Sequence, residues 1–138
     1  MTHFNVIVIG GRPAGSTLAA RLGKYGIRTL LLERGTFPSL PATSCPIIYS
    51  ATMTMLDEIG ADEAEYAHDT PQITRINIHG QRGSAGFDLP DDNGRDYAYA
   101  IDRARFDHAL WKTASRYPQV TARTGFNVTD LLWDGDRV

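Results

Sequence analysis

The run Asn5-Val6-Ile7-Val8-Ile9-Gly10-Gly11-Arg12-Pro13-Ala14-Gly15, followed by Leu30-Leu31-Leu32-Glu33, restricts the fold more than any other feature of the chain. Two short apolar runs flank a glycine-rich turn and a stretch with helical spacing. A buried strand, a tight turn, a helix and a second buried strand ending in a carboxylate satisfy that pattern. Such a unit offers a pyrophosphate the N-terminus of a helix, and offers ribose hydroxyls a carboxylate. It predicts a site for the ADP half of a dinucleotide.

Each position has its own reason. Gly10 stands where the chain leaves the first strand and turns sharply, which favours a residue without a Cβ. Gly15 falls one turn into the helix, where a missing side chain lets helix and strand pack closely, and Ala19 keeps that face small. Pro13, beside Ala14, suits a first helical turn, because the N–H it lacks would have had no partner there. Leu18, Leu22 and Tyr25 repeat at helical spacing, and Gly26 follows as a C-terminal cap.

Arg12 departs from the usual pattern, which has a second glycine there so that the backbone can approach the pyrophosphate. Gly11 occupies the variable position and does not replace it. Two readings stand open: Arg12 turns its side chain outward and pairs with a phosphate oxygen, or it is solvated and the loop binds weakly or not at all. Glu33 is read as the ribose ligand, against the plainer alternative of a solvated strand end. A carboxylate there disfavours a 2′-phosphate, and so NADP, at this site.

With 138 residues the chain is the size of one domain and can bury a core. A net charge of −2 supplies no basic field for nucleic acid or an anionic membrane. The single cysteine, Cys45, leaves no internal disulfide and no cysteine-rich metal site. No apolar run approaches the roughly 20 residues needed to span a bilayer. The first strand begins too early for a signal peptide, and a cytoplasmic protein is expected.

Beyond Glu33 the strand–helix alternation stops. The loop from Arg34 to Pro46 carries Pro38, Pro41 and Pro46, which neither a helix nor a central strand accepts. Spacing predicts a helix from about Ile48 to Ile59, with Tyr49, Thr52, Met53, Leu56 and Ile59 on one face and Gly60 as its stop. Residues 61–70 are acidic and poorly periodic. Alternation then predicts strands around Ile76 and Ile78, around Phe87 and Leu89, and around Tyr97, Tyr99 and Ile101. Asp102 is a good N-cap for a helix whose apolar face is Phe106, Ala109, Leu110, Thr113, Ala114 and Tyr117.

Arg103 lies in line with that face and at a helix N-terminus, where the dipole disfavours a cation. A buried anionic partner explains this placement; the alternatives are that Arg103 bends to solvent or pairs with Asp107 across one turn. Val120-Thr121-Ala122 reads as a strand returning to the first sheet. Asn127 to Trp133 reads as a further strand, with Asp134-Gly135 as a hairpin turn. Stopping three residues later is unusual for a finished domain, so an N-terminal portion of a longer protein is expected.

In order and spacing, Val6 to Gly15, Leu30-Leu31-Leu32-Glu33-Arg34, Phe37-Pro38-Ser39 and Asp102-Arg103-Ala104-Arg105-Phe106-Asp107 with Leu110 resemble one protein group. It is the FAD-dependent oxidoreductases of the p-hydroxybenzoate hydroxylase type, which also include geranylgeranyl reductases and flavin-dependent halogenases. The fold implied is α/β: a Rossmann-like FAD-binding βαβ unit with a parallel sheet, an antiparallel β insertion and the start of a β-meander, in an incomplete domain. Residues 1–138 would be the N-terminal part of an FAD/NAD(P)-binding domain, with about 70–101 opening the substrate-side β region.

The resemblance implies that Glu33 binds the adenosine ribose, that Arg34 lies near the adenosine end, and that Arg103 reaches the pyrophosphate or ribityl region. The loop from Phe37 to Pro46 would pass near the flavin and its substrate. The activity implied is a monooxygenase acting on a small organic substrate, with FAD reduced by NADH or NADPH. Dehydrogenation, double-bond reduction and halogenation also occur in such groups. No catalytic residue stands out: His3, His68, His79 and His108 are scattered, Ser44 lacks a nucleophile-elbow context and Cys45 lacks a helper base. An NAD-linked dehydrogenase and a non-catalytic dinucleotide-binding module are the alternatives.

Overall fold

The structure is a computed structural model, and it describes residues 3–39, 46–133 and 135. Strand β1 (Val6–Ile9), helix α1 (Pro13–Lys24) and strand β2 (Thr29–Leu32) form the expected βαβ unit. Strand β3 (Ile47–Ile48) and helix α2 (Ser50–Glu58) follow, then a short helix α3 (Glu63–Tyr66). Next come strands β4 (Gln72–Ile73), β5 (Arg75–Gly80), β6 (Gly83–Asp88) and β7 (Ala98–Ala100). Helix α4 (Arg103–Ser115) and strand β8 (Val120–Arg123) complete the order.

Parallel pairing puts β2 between β1 and β8, with Val8 opposite Leu31 and Leu31 opposite Ala122. The strand at Val120 thus returns to the first sheet as expected. A second sheet, β3-β7-β4, is antiparallel, and β5-β6 is a separate hairpin. Helices α1 and α4 cover the sheet face carrying Val8, Thr29, Leu31 and Val120, which are buried. The opposite face leaves Ile7 and Ile9 exposed.

The inward side of α1 differs from its leucine spacing. Ser16, Ala19, Ala20 and Gly23 are buried, whereas Leu18 and Tyr25 are exposed. Helix, sheet and α4 approach too closely for larger groups: a Cβ on Gly23 would lie 2.7 Å from Tyr117 Cβ and 2.8 Å from Val120 Cγ2. Gly26, at φ 77°, ends the helix as expected, with Ile27 N–H donating to Leu22 O. Asp102 caps α4 by accepting from Ala104 N–H and Arg105 N–H, and Phe106, Ala109, Leu110, Thr113 and Ala114 are buried as their spacing requires.

Other expectations change. The helix expected from Ile48 begins at Ser50, because Ile47 and Ile48 pair with Ala100 and Tyr99 in the second sheet. Met53, Leu56 and Ile59 face inward, while Tyr49 and Thr52 are exposed. The acidic stretch after residue 60 contains α3, capped by Asp62, which accepts from Ala64 N–H. Asn127 to Trp133 forms no strand, since it pairs with no other strand among the described residues. Asp134, in the hairpin turn expected there, lies outside the described residues.

The second sheet is tied to α2 and α3 by a polar cluster. Arg95 donates to Asp57 and to Glu63, at 2.6 and 3.0 Å, and the Tyr97 and Tyr99 hydroxyls both donate to Glu63 Oε1. The aromatic face read from the sequence is therefore a structural clamp. Tyr66 is fully buried beside it, and its hydroxyl has no hydrogen-bond partner among the described residues. Burial and the Glu63 carboxylate push the Tyr66, Tyr97 and Tyr99 hydroxyls above the usual tyrosine range.

Folding raises these pKa values, so their contribution to stability is complete below the ordinary tyrosine pKa of about 10 and is lost as pH rises through the folded values. The melting midpoint should fall above about pH 10, and Tyr66→Phe should weaken that fall. Because the buried hydroxyl is unpaired, Tyr66→Phe should also raise stability by about 1 kcal/mol near neutral pH. A melting series over pH on both chains checks this; a destabilised Tyr66→Phe with an unchanged alkaline limb contradicts it.

Candidate functional site

The site is built where β1, β2 and β8 end, on the side where parallel α/β sheets receive ligands. Gly10 has φ 102°, a conformation that favours glycine. Gly15 is fixed by packing: a Cβ there would lie 1.7 Å from the Gly10 carbonyl oxygen and 3.2 Å from Val8 Cγ1. Both glycines serve the purposes assigned to them. Arg12 is the N-cap of α1 in an extended conformation (φ −79°, ψ −172°), open to any residue. Its guanidinium has no hydrogen bond or ion pair among the described residues, and it stands at the helix end that repels a cation.

The first backbone bond of α1 runs from Ser16 N–H to Arg12 O. The N–H groups of Ala14 and Gly15 precede it and have no intrahelical acceptor. Pro13 has no N–H to satisfy. Ser16, fully buried, donates its hydroxyl to Gly11 O. Sequence reasoning missed this contact, because serine inside a helix carries no pattern of its own.

Glu33 is buried at the end of β2. Its Oε2 accepts from Gly11 N–H at 2.8 Å and its Oε1 accepts from Gly35 N–H at 2.9 Å. The structure thus brings Glu33 and the glycine turn together, and excludes the solvated strand end. An ionised carboxylate has about four acceptor sites, so capacity for sugar hydroxyls is left over. Arg34 is exposed beside it.

Arg103 pairs with Asp107, one of the alternatives weighed from the sequence. Its Nε and Nη2 donate to Asp107 Oδ1 at 3.0 and 2.9 Å, and Asp107 is fully buried. Asp107 also accepts from the Ser39 hydroxyl at 3.2 Å, which ties the loop after β2 to α4. Arg103 still shares a cleft of about 500 Å³ with Pro13, Ala14 and Thr17 of α1 and with Phe106 and Leu110. The cleft joins an apolar wall to the first turn of α1. The expected flavin-side segment, Leu40 to Cys45, lies outside the described residues. Among the described residues no cluster of His, Cys, Asp and Glu could hold a metal ion, and no helix is long and apolar enough to cross a membrane.

A family model described as FAD binding domain matches residues 3–138, essentially the whole chain. The chain belongs to the FAD binding domain family. It is similar to an FAD-dependent monooxygenase from Emericella nidulans, with 38% identity over 151 residues covering 100% of this chain and 26% of that protein. It is also similar to the digeranylgeranylglycerophospholipid reductase of Thermoplasma acidophilum, with 27% identity covering 84% of this chain and 28% of the other. Among solved structures, the myxobacterial chondrochloren halogenase, an FAD-dependent enzyme, superposes with a TM-score of 0.79 at 30% identity, covering 97% of this chain and 31% of that one. The chain spans about a quarter to a third of the length of these FAD binding domain relatives. Their names span three chemistries, monooxygenation, reduction and halogenation, in line with the resemblance read from the motifs.

The close approach at Gly15 sets a test of the FAD binding domain core. Gly15→Ala should lower unfolding free energy by about 1–3 kcal/mol, as overpacking against backbone does. Urea denaturation measures it; a variant as stable as the parent contradicts the contact.

Proposed function

We propose that this chain holds the ADP half of FAD and forms the nucleotide-binding portion of an FAD-dependent oxidoreductase, a monooxygenase acting on a small organic substrate. The observation that carries the proposal is the Gly11–Glu33 pairing beside the N-terminus of α1, which sets a ribose acceptor next to a pyrophosphate donor.

The residues fit that group. Gly10, Gly11 and Gly15 leave three positions of the turn without side chains, and the N–H groups of Ala14 and Gly15, which have no intrahelical acceptor, suit phosphate oxygens. Glu33 would take ribose hydroxyls, and Arg34 would lie at the adenosine end. Arg12 at a helix N-cap without a polar partner, and Arg103 on the cleft beside Pro13, supply positive charge where the pyrophosphate would lie. Asp107 holds Arg103 in place. Bound FAD would supply electron transfer at its isoalloxazine ring, while the protein supplies position and electrostatics.

The sheet face exposing Ile7 and Ile9 supports reading residues 1–138 as the N-terminal part of an FAD/NAD(P)-binding domain, because parallel sheets are normally covered on both faces. NADH or NADPH is the proposed reductant, and the cytoplasm the proposed compartment. The monooxygenase assignment rests on the Emericella relative, against the reductase and halogenase relatives.

An equilibrium titration with FAD, followed by flavin fluorescence, tests the cofactor reading. Glu33→Ala should weaken FAD binding by about 10- to 100-fold, the loss expected on removing a charged hydrogen-bond acceptor. An affinity unmoved by this change removes Glu33 from the site.

A further inference from the structure

Gly11 occupies the position that the dinucleotide pattern leaves variable, yet it is constrained on several sides. Its N–H donates to Glu33 Oε2 at 2.8 Å, and its carbonyl accepts from the Ser16 hydroxyl. Its Cα is covered by the indole of Trp111 on α4. A Cβ at residue 11 would lie 2.4 Å from Trp111 Cζ3, 2.6 Å from Trp111 Cε3 and 3.0 Å from Glu33 Cβ. No side chain fits while the indole is there. Trp111 in turn is backed by Phe37 from the loop after β2, with ring centroids 4.9 Å apart. His108, one turn earlier on α4, stacks on Phe37 at 6.0 Å.

From this we infer that Trp111 is a positioning residue for the nucleotide turn, and that it imposes a glycine requirement at position 11 of this chain. The inference rests on the proposed FAD reading and extends it to α4, to which the pattern assigns no part of the turn. The indole presses the Gly11 backbone against Glu33, so the carboxylate and the turn are set before a ligand arrives. Arg12, next in the chain, is extended (φ −79°, ψ −172°), a conformation open to any residue, and carries its charged side chain at the helix N-cap. Trp111 touches the turn and acts on the ligand only through Gly11 and Glu33.

A double-mutant cycle between Gly11 and Trp111 tests this, with FAD and ADP as separate probes and the melting midpoint recorded for every variant. Gly11→Ala alone should weaken binding of both probes by at least about tenfold, and in a Trp111→Ala background it should cost less than about threefold, a coupling typical of residues in contact. Trp111→Leu keeps an apolar side chain, smaller than the indole, while losing the flat ring, and should weaken both probes while lowering the midpoint less than Trp111→Ala does. Hydrogen exchange read at the Gly11 amide in Trp111→Phe and Trp111→Leu supplies a measurement without cofactor, and the amide should exchange faster in both. Equal losses for Gly11→Ala in the two backgrounds, or an unchanged Gly11 amide, overturn the role of Trp111 while leaving FAD binding intact. Failure of the unsubstituted chain to bind either probe overturns the FAD reading, and this inference with it.

Discussion

Residue 15 cannot carry even a methyl group, because the Gly10 carbonyl oxygen would lie 1.7 Å from it. The first turn of α1 therefore rests directly on the end of β1. This contact decides where the helix N-terminus points, and so where its unpaired N–H groups are presented. The other features of the site follow from it. With β1 and β2 in parallel register, Ile9 beside Leu32, the next residues of the two strands converge and the Glu33 carboxylate meets Gly11 N–H.

Helix α4 completes the arrangement from the far side. Asp107, fully buried, receives the Arg103 guanidinium and the Ser39 hydroxyl, while Trp111 covers Gly11. One helix thus fixes the cation on the cleft, the loop after β2 and the glycine turn. A buried ion pair adds little to stability, since desolvation offsets its attraction. Its effect here is on direction: Arg103 is held along the cleft wall rather than spread into solvent.

The local features of this site were legible in the sequence, and the long-range ones were not. The strands at Val6, Thr29 and Val120 announce themselves as short apolar runs, and Asp102 caps α4 for a reason visible in its own neighbourhood. Ala19 is legible as part of a small, closely packed face, but the burial of Ser16, Ala20 and Gly23 in place of Leu18 is not, because hydrophobic spacing does not report how closely two elements approach. Ile47 and Ile48 joined a strand rather than the helix because of a pairing with Tyr99 and Ala100 that only the fold creates. Residues 127–133 alternate like a strand, but pattern alone does not provide a neighbour to bond. Gly11 looked interchangeable for the same reason: its constraint comes from Trp111, far along the chain.

The central claim is that Glu33 serves a sugar as well as the turn. A crystal structure of the chain with FAD tests it most directly. The account predicts a Glu33 carboxylate oxygen within hydrogen-bond distance, about 2.5–3.0 Å, of an adenosine ribose hydroxyl, with the Gly11 N–H bond retained. A bound FAD whose ribose lies away from Glu33, with both carboxylate oxygens still engaged only by Gly11 and Gly35, would contradict it.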